Sequence, residues 1–243
     1  MPTIFDNMSD DRLFLKRLEK KLTESSHADI CVGYFSLHGY SDIADEIQHY
    51  TGGEDNQLRV IVGMSNTPHA ENRSSLRNAN PPIPSNEDIT KRKKLAIEQF
   101  ADQFSFRTPN PRDEAVLWRL HADLKAKRLV IKLFTKHQLH AKLYLTYSNN
   151  PSDDYPMIGY IGSSNLTYGG LRGQGELNVD IPDQMNVAQL KEWYDEHWGD
   201  RSTVDISADL VTLIEAGWVR KATPYEIYLK MVYHMSQDVI GGS

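Results

Sequence analysis

The sequence predicts an α/β fold: a mixed, mostly parallel sheet flanked by helices, with a C-terminal helical extension. Three observations carry this expectation. Apolar runs of strand length at 28–35, 58–64 and 128–134 alternate with segments whose apolar residues recur at helical spacing. The run Leu58-Arg-Val-Ile-Val-Gly63-Met is apolar enough to be buried on both faces, as strands joined by helical crossovers are. From Asn186 onward the pattern becomes helical. With 243 residues the chain can hold one well-packed domain and an extension, here placed at 1–182 and 183–243.

Each element has its own signal. Residues 9–24 set Leu13, Phe14, Leu18 and Leu22 on one helical face, with Ser9 as the expected N-cap. The β-rich run 28–35 follows. Residues 40–50 read as a helix with Ile43, Ala44 and Ile47 on one face, ended by Gly52-Gly53. The strand 58–64 comes next, and strand, helix, strand in this order predicts a parallel pair with a crossover. The Asn-, Pro- and Ser-rich stretch 65–90 predicts an exposed loop. Residues 91–104 form a helix with Leu95, Ile97, Phe100 and Phe104 toward the core, 105–111 is a break, and 115–127 is helical with Val116, Leu117, Leu120 and Leu124 inward. Strands are expected at 128–134, 140–146, 157–162 and 177–181, with a turn-rich connection at 148–156. The extension carries helices at 187–198, 207–216 and 224–235, the last opening at Pro224.

Composition narrows the function classes. No run of 18 apolar residues is present, so no transmembrane helix is expected, and the acidic N-terminal segment lacks the apolar core of a secretory signal. A single cysteine, Cys31, excludes a disulfide or a cysteine-based zinc site within one chain, and a cytoplasmic location is the simplest expectation. Nor is there a Gly-rich loop ending in Gly-Lys-Ser/Thr, so no ATP motor is expected. Net charge is −6, which argues against general nucleic-acid binding, but its distribution is uneven. Residues 91–142 hold 13 Lys/Arg against 5 Asp/Glu, and residues 176–215 hold 2 against 10. A basic block running into a candidate site suits a phosphate-facing surface on an acidic body; clustering on solvated helix faces is the plain alternative.

The chemistry concentrates between 129 and 178. In Leu-His140-Ala-Lys142-Leu-Tyr-Leu, the His and Lys lie two apart, so an extended strand would set imidazole and ammonium on one face with Ala141, Leu143 and Leu145 on the other. A loop then brings Gly162-Ser163-Ser164-Asn165, followed by Gly-Glu176-Leu-Asn178-Val. Imidazole can attack phosphorus or move a proton. Lys142 gives a fixed positive charge, Ser163 and Asn165 can donate to phosphate oxygens, and Gly162 allows close backbone approach. Glu176 can hold the second imidazole nitrogen. Lys142, Asn165 and an imidazolium supply the positive charge, so neither metal nor cofactor is required by this set. His137 lies three residues from His140 and would point to the opposite face of a strand.

His140-x-Lys142, Gly162-Ser163-x-Asn165 and Glu176-Leu-Asn178-Val together resemble the phospholipase D superfamily, closest to its nuclease-like branch with one motif per chain. The consensus His-x-Lys-x4-Asp would place an acid at 147; this chain has Tyr147, with Asp153 and Asp154 nearby but out of register. The resemblance implies a phospholipase D-like fold and His140 as a nucleophile that forms a phosphohistidine. It also implies phosphate binding by Lys142, Ser163 and Asn165, and an imidazole oriented by Glu176. Single-motif members pair across a two-fold axis, which implies a homodimer through the His140/Lys142 face. Residues 30–40 and 58–63 resemble the opening of the phospholipase D-like domain that precedes a motor in some bacterial Swi/Snf-type or DEAD/DEAH-type helicases, and 223–229 resembles the linking segment. The implied function is metal-independent cleavage of DNA. The alternative is a catalytically weak or inactive nucleic-acid-binding module that targets or regulates a helicase. Nothing points to a membrane partner.

Overall fold

The strands β2 (Ser25–Val32), apolar from Ala28 onward except for Asp29, and β3 (Leu58–Val62), apolar except for Arg59, lie in the middle of the sheet, where both faces are covered. In the computed structural model, which describes residues 2–63, 84–104, 111–150 and 152–219, six further strands join them. These are β1 (Ile4–Phe5), β4 (Leu129–Phe134), β5 (Leu143–Ser148), β6 (Met157–Gly162), β7 (Asn178–Ile181) and β8 (Thr203–Asp205). The order across the sheet is β1-β7-β6-β5-β2-β3-β4-β8.

The expected parallel crossover is present. Ile30 pairs with Val60 and Val60 with Ile131, so β2, β3 and β4 run parallel. The remaining five pairings are antiparallel, so the sheet is mixed as expected but less parallel than the apolar runs implied. Part of the reason is local: β5 and β6 are joined by the polar connection 149–156, too short for a crossover, so they return as a hairpin.

Helices cover both faces. On one lie α1 (Phe14–Thr23), α2 (Leu37–Ile43), α3 (Asn86–Phe104), α4 (Pro111–Lys125) and α6 (Ser207–Val219). Phe14, Leu18 and Leu22 of α1 are fully buried, each contributing about 1.5–3 kcal/mol of burial. They meet a cross-strand row, Ile30–Tyr144–Tyr160, with the Phe14 ring 5.1 Å from Tyr144. The opposite face is covered by α5 (Gln184–Gly199), whose Val187 and Tyr194 pack on Cys31, Ile61, Leu143 and Leu145.

Several boundaries differ from expectation for identifiable reasons. Ser9 makes no side-chain cap; a 3₁₀ turn at Asp10–Arg12 intervenes, and Asn7 Oδ1 accepts from Phe14 N (2.8 Å) instead. Residues 9–13 are therefore not α-helical. The first turn of α3 lies inside the predicted loop, because Ser85 and Asp88 form a reciprocal cap: Ser85 Oγ accepts from Asp88 N (3.1 Å) while Asp88 Oδ2 accepts from Ser85 Oγ (2.6 Å). α2 begins at Leu37, where Ser36 Oγ accepts from Gly39 N (3.1 Å). The C-terminal extension is not purely helical, since β8 lies within it and pairs antiparallel with β4. The expected break at 105–111 lies largely, and the expected helix at 224–235 and the linking segment at 223–229 wholly, outside the described residues.

Candidate active site

The candidate residues gather at the carboxyl end of the parallel strands, where ligand sites form in open α/β sheets. β2 and β3 end there, and β5 begins there because it runs antiparallel to β2. Leu139 N donates to Gly63 O (3.1 Å) just past β3, which anchors the approach to His140. His140 and Lys142 precede β5 rather than lying within it. Their expected backing holds: Leu143 and Leu145 are buried on the α5 face with Ala141 packed beside them.

His140 reaches solvent, with its ring set edge-on to Tyr34 at 6.4 Å between centroids. Partial burial, then the nearby Lys142 charge, holds the imidazole below its ordinary pKa of 6.5. The neutral, nucleophilic form is therefore favoured near neutral pH. Lys142 is buried, with 7% of its surface exposed. Burial also lowers the ammonium pKa, opposed first by the Glu176 carboxylate. Lys142 Nζ donates to His140 O (3.1 Å), which leaves donors for an anion.

The Gly-Ser-Ser-Asn loop comes off β6. A Cβ on Gly162 would come within 2.2 Å of Leu177 O, so only glycine lets β6 end this close to the start of β7. Ser164 and Asn178 then lock the loop. Both are buried; Ser164 N donates to Asn178 Oδ1 (3.3 Å) and Asn178 Nδ2 donates to Ser164 Oγ (2.8 Å). Asn165 Oδ1 accepts from Tyr34 N (3.0 Å), which leaves its amide NH₂ as the donor end of the side chain.

The carboxylate is placed differently from expectation. Glu176 accepts a hydrogen bond from the Ser163 hydroxyl, and Ser163 Oγ in turn accepts from Leu177 N (3.0 Å). No hydrogen bond joins Glu176 to the His140 ring among the described residues. The five predicted residues thus share one end of the sheet, as two groups: His140 with Lys142, and Ser163 with Glu176, with Asn165 tied to Tyr34.

Position 147 has a clear place. Tyr147 lies five residues past Lys142, so it faces the opposite side of the sheet, away from Lys142. Its hydroxyl donates to Asp29 Oδ2 (2.7 Å) and its ring stacks on His27 at 3.8 Å. Asp29 is fully buried and held by a fork from Arg59, Nε to Oδ1 at 2.5 Å and Nη2 to Oδ2 at 2.6 Å. Arg59 also reaches Asp195 (2.9 Å) and lies against the rings of Tyr194 and Trp198. A carboxylate thus does occupy this layer of the sheet, carried by β2.

The uneven charge resolves internally. Lys93 pairs with Asp209 (2.8 Å), Lys125 with Glu215 (3.1 Å) and Lys136 with Asp200 (3.6 Å), so the basic block is met in part by the acidic one. Positive charge at the site itself rests on Lys142. Two contributors escaped sequence reading, Tyr34 and Asp29. Asp29 carries a signal: it and Arg59 are the only charged residues in the apolar runs 28–32 and 58–62, and they stand opposite each other in register.

A histidine–lysine pair and a Gly-Ser-x-Asn loop thus sit together at the carboxyl edge of a mixed α/β sheet. The chain belongs to the phospholipase D-like family: residues 18–198 match the family model described as "Cardiolipin synthase, PLD-like domain". No curated protein matches the sequence. Among solved structures, NucT from Helicobacter pylori aligns at 13% identity and TM-score 0.46, over 84% of this chain and 98% of its own. Nuc from Salmonella typhimurium aligns at 10% and 0.42, over 84% and 98%. Phosphatidylserine synthase from Haemophilus influenzae Rd KW20 aligns at 14% and 0.47, over 95% of this chain but 47% of its own.

Proposed function

We propose that the chain is a metal-independent phosphodiesterase of DNA that works through a phosphohistidine on His140. The observation that carries this reading is the gathering at one end of the sheet of a solvent-reaching histidine beside a buried lysine with donors to spare, and of an Asn165 whose amide NH₂ is left as a donor. In the first step an imidazole nitrogen attacks phosphorus, a P–N bond forms and the P–O bond to the leaving oxygen breaks. Lys142 and Asn165 hold the non-bridging oxygens, where charge builds up. The leaving oxygen needs a proton from an acid on the far side of phosphorus. A second copy of the chain, offering its own His140 in the protonated form, supplies it. Water then attacks phosphorus, the P–N bond breaks and both histidines return to their starting states.

Exposed apolar side chains beside the site support pairing. Ile4 and Ile161 both lie opposite Val179 on one face of the sheet, Leu177 lies diagonal to Ile161, and all three are well exposed. Such a row next to a half-site suits an isologous contact.

One observation favours a second reading. Glu176 engages Ser163, and among the described residues no carboxylate bonds the His140 ring, which suits a nucleic-acid-binding module that targets or regulates a helicase. The helicase connection rests on the resemblance of 30–40, 58–63 and 223–229. Among the described residues no helix is long and apolar enough to cross a membrane. The deciding experiment is cleavage of single- and double-stranded DNA in EDTA by native protein and His140→Ala, with phospholipid vesicles in parallel. EDTA-resistant DNA cleavage lost in the variant is the expected result. Binding without cleavage, weakened by Lys142→Ala, establishes the second reading; turnover of lipid alone overturns both.

A further inference from the structure

Next to this site lies a cavity of about 220 Å³ whose lining the phosphodiester scheme leaves unused. Two of its walls continue the segments that build the site. His38 follows Tyr34 into α2, and Tyr168 and Arg172 follow Asn165. The segments are tied together where Ser36 N donates to Leu166 O (3.0 Å), and Gly39 packs so closely that a Cβ there would lie 2.3 Å from the same oxygen. The start of α4, with Arg112 and Asp113, forms the third wall.

The lining has a distinct chemistry. Arg172 Nη2 lies 2.7 Å from Asp42 Oδ1, and the guanidinium stands 4.8 Å from the centre of the Tyr168 ring. His38 Nε2 is 3.7 Å from Asp113 Oδ1. Two arginines face two aspartates, so the cavity has no surplus charge for a second phosphate. The Asp42 side chain is only 8% exposed, and its Oδ2 is enclosed without a hydrogen-bond donor among the described residues. An enclosed acceptor without a donor is costly, and a ligand N–H removes the cost. A guanidinium–phenol pair is also a platform for a flat ring, as in single-strand recognition. An uncharged, planar ligand with N–H donors meets all three conditions.

We propose that this cavity seats the base of the nucleotide adjoining the phosphate at His140, stacked against Arg172 and Tyr168 and donating an N–H to Asp42 Oδ2. The inference deepens the phosphodiesterase reading and rests on it.

The test is fluorescence anisotropy with labelled single-stranded DNA of about eight nucleotides, comparing homopolymers with an oligonucleotide of the same length whose residues are all abasic. Native protein is expected to bind the base-bearing strands about fivefold or more tighter than the abasic one. Tyr168→Ala removes an exposed ring and should erase most of that difference, while Asp42→Asn should change the ranking among bases. If native protein binds no DNA, the phosphodiesterase reading falls and takes the pocket with it. If DNA binds, weakens in Lys142→Ala, and the abasic penalty is unchanged in both pocket variants, the pocket alone is overturned. Should Asp42→Asn fail to fold, Tyr168→Ala decides.

Discussion

His140 sets the first expectation at the scale of single residues. Its imidazole is held below 6.5 by partial burial and by Lys142. The acid limb of kcat/KM should therefore lie below that ordinary value, because the nucleophile must be deprotonated and a lowered pKa keeps it so at lower pH. Lys142→Met removes the positive neighbour and should move the limb part of the way back up, which NMR titration of the His140 ring can follow independently of turnover. Tyr147 gives the converse case. Its hydroxyl bonds the buried Asp29 on the face away from the site, so Tyr147→Phe should cost about 1.5–3 kcal/mol of stability and leave cleavage per folded molecule unchanged. Tyr147→Asp, which restores the family acid, should lower the melting temperature further by burying a second carboxylate beside Asp29. His140, Lys142, Ser163, Asn165 and Glu176 were legible as residue types in sequence order. The bond from Ser163 to Glu176 was not, because hydroxyl and carboxylate rotamers leave no trace in spacing.

The loop after β6 is the element on which the site depends. It is held by a buried exchange between Ser164 and Asn178. Asn178→Ala leaves a buried N–H without an acceptor, an expected loss of about 1–3 kcal/mol. Because Asn165 rides on the same loop, DNA affinity should fall with it; thermal melts and binding measured side by side check the coupling. The apolar runs within β2, β3 and β4 were legible because burial on both faces demands a largely apolar sequence, even with Asp29, Arg59 and Lys132 inside them. The edge strands β1 and β8, two and three residues long, were not, since so short a strand has no period to detect. The early start of α3 was hidden for another reason: its capping residues, Ser85 and Asp88, are also loop formers.

For the whole molecule the open question is assembly. The proposed dimer is expected to use the exposed row of Ile4, Ile161 and Leu177. Leu177→Asp should convert it to a folded monomer by light scattering, with the far-UV spectrum retained and cleavage lost. A native protein that is monomeric where it cleaves DNA would sink the shared-site scheme. Because the basic block is partly met by the acidic one within the chain, few cations are left over for phosphates, and the salt dependence of DNA binding should be shallow. The charge counts were legible in the sequence. Which lysine meets which carboxylate was not, because pairs such as Lys93–Asp209 and Lys125–Glu215 are set by how α3, α4 and α6 pack.

The Asp29–Arg59–Tyr147 cluster has a consequence for how relatives of this chain are found. A search that demands an acid five positions after the lysine discards this sequence. A search that accepts an acid diagonal to that position on the neighbouring strand, with an arginine facing it one strand further on, retains it. In this chain the carboxylate that position 147 bonds lies across the sheet rather than along the chain, and a pattern drawn in two dimensions is the one that reads it.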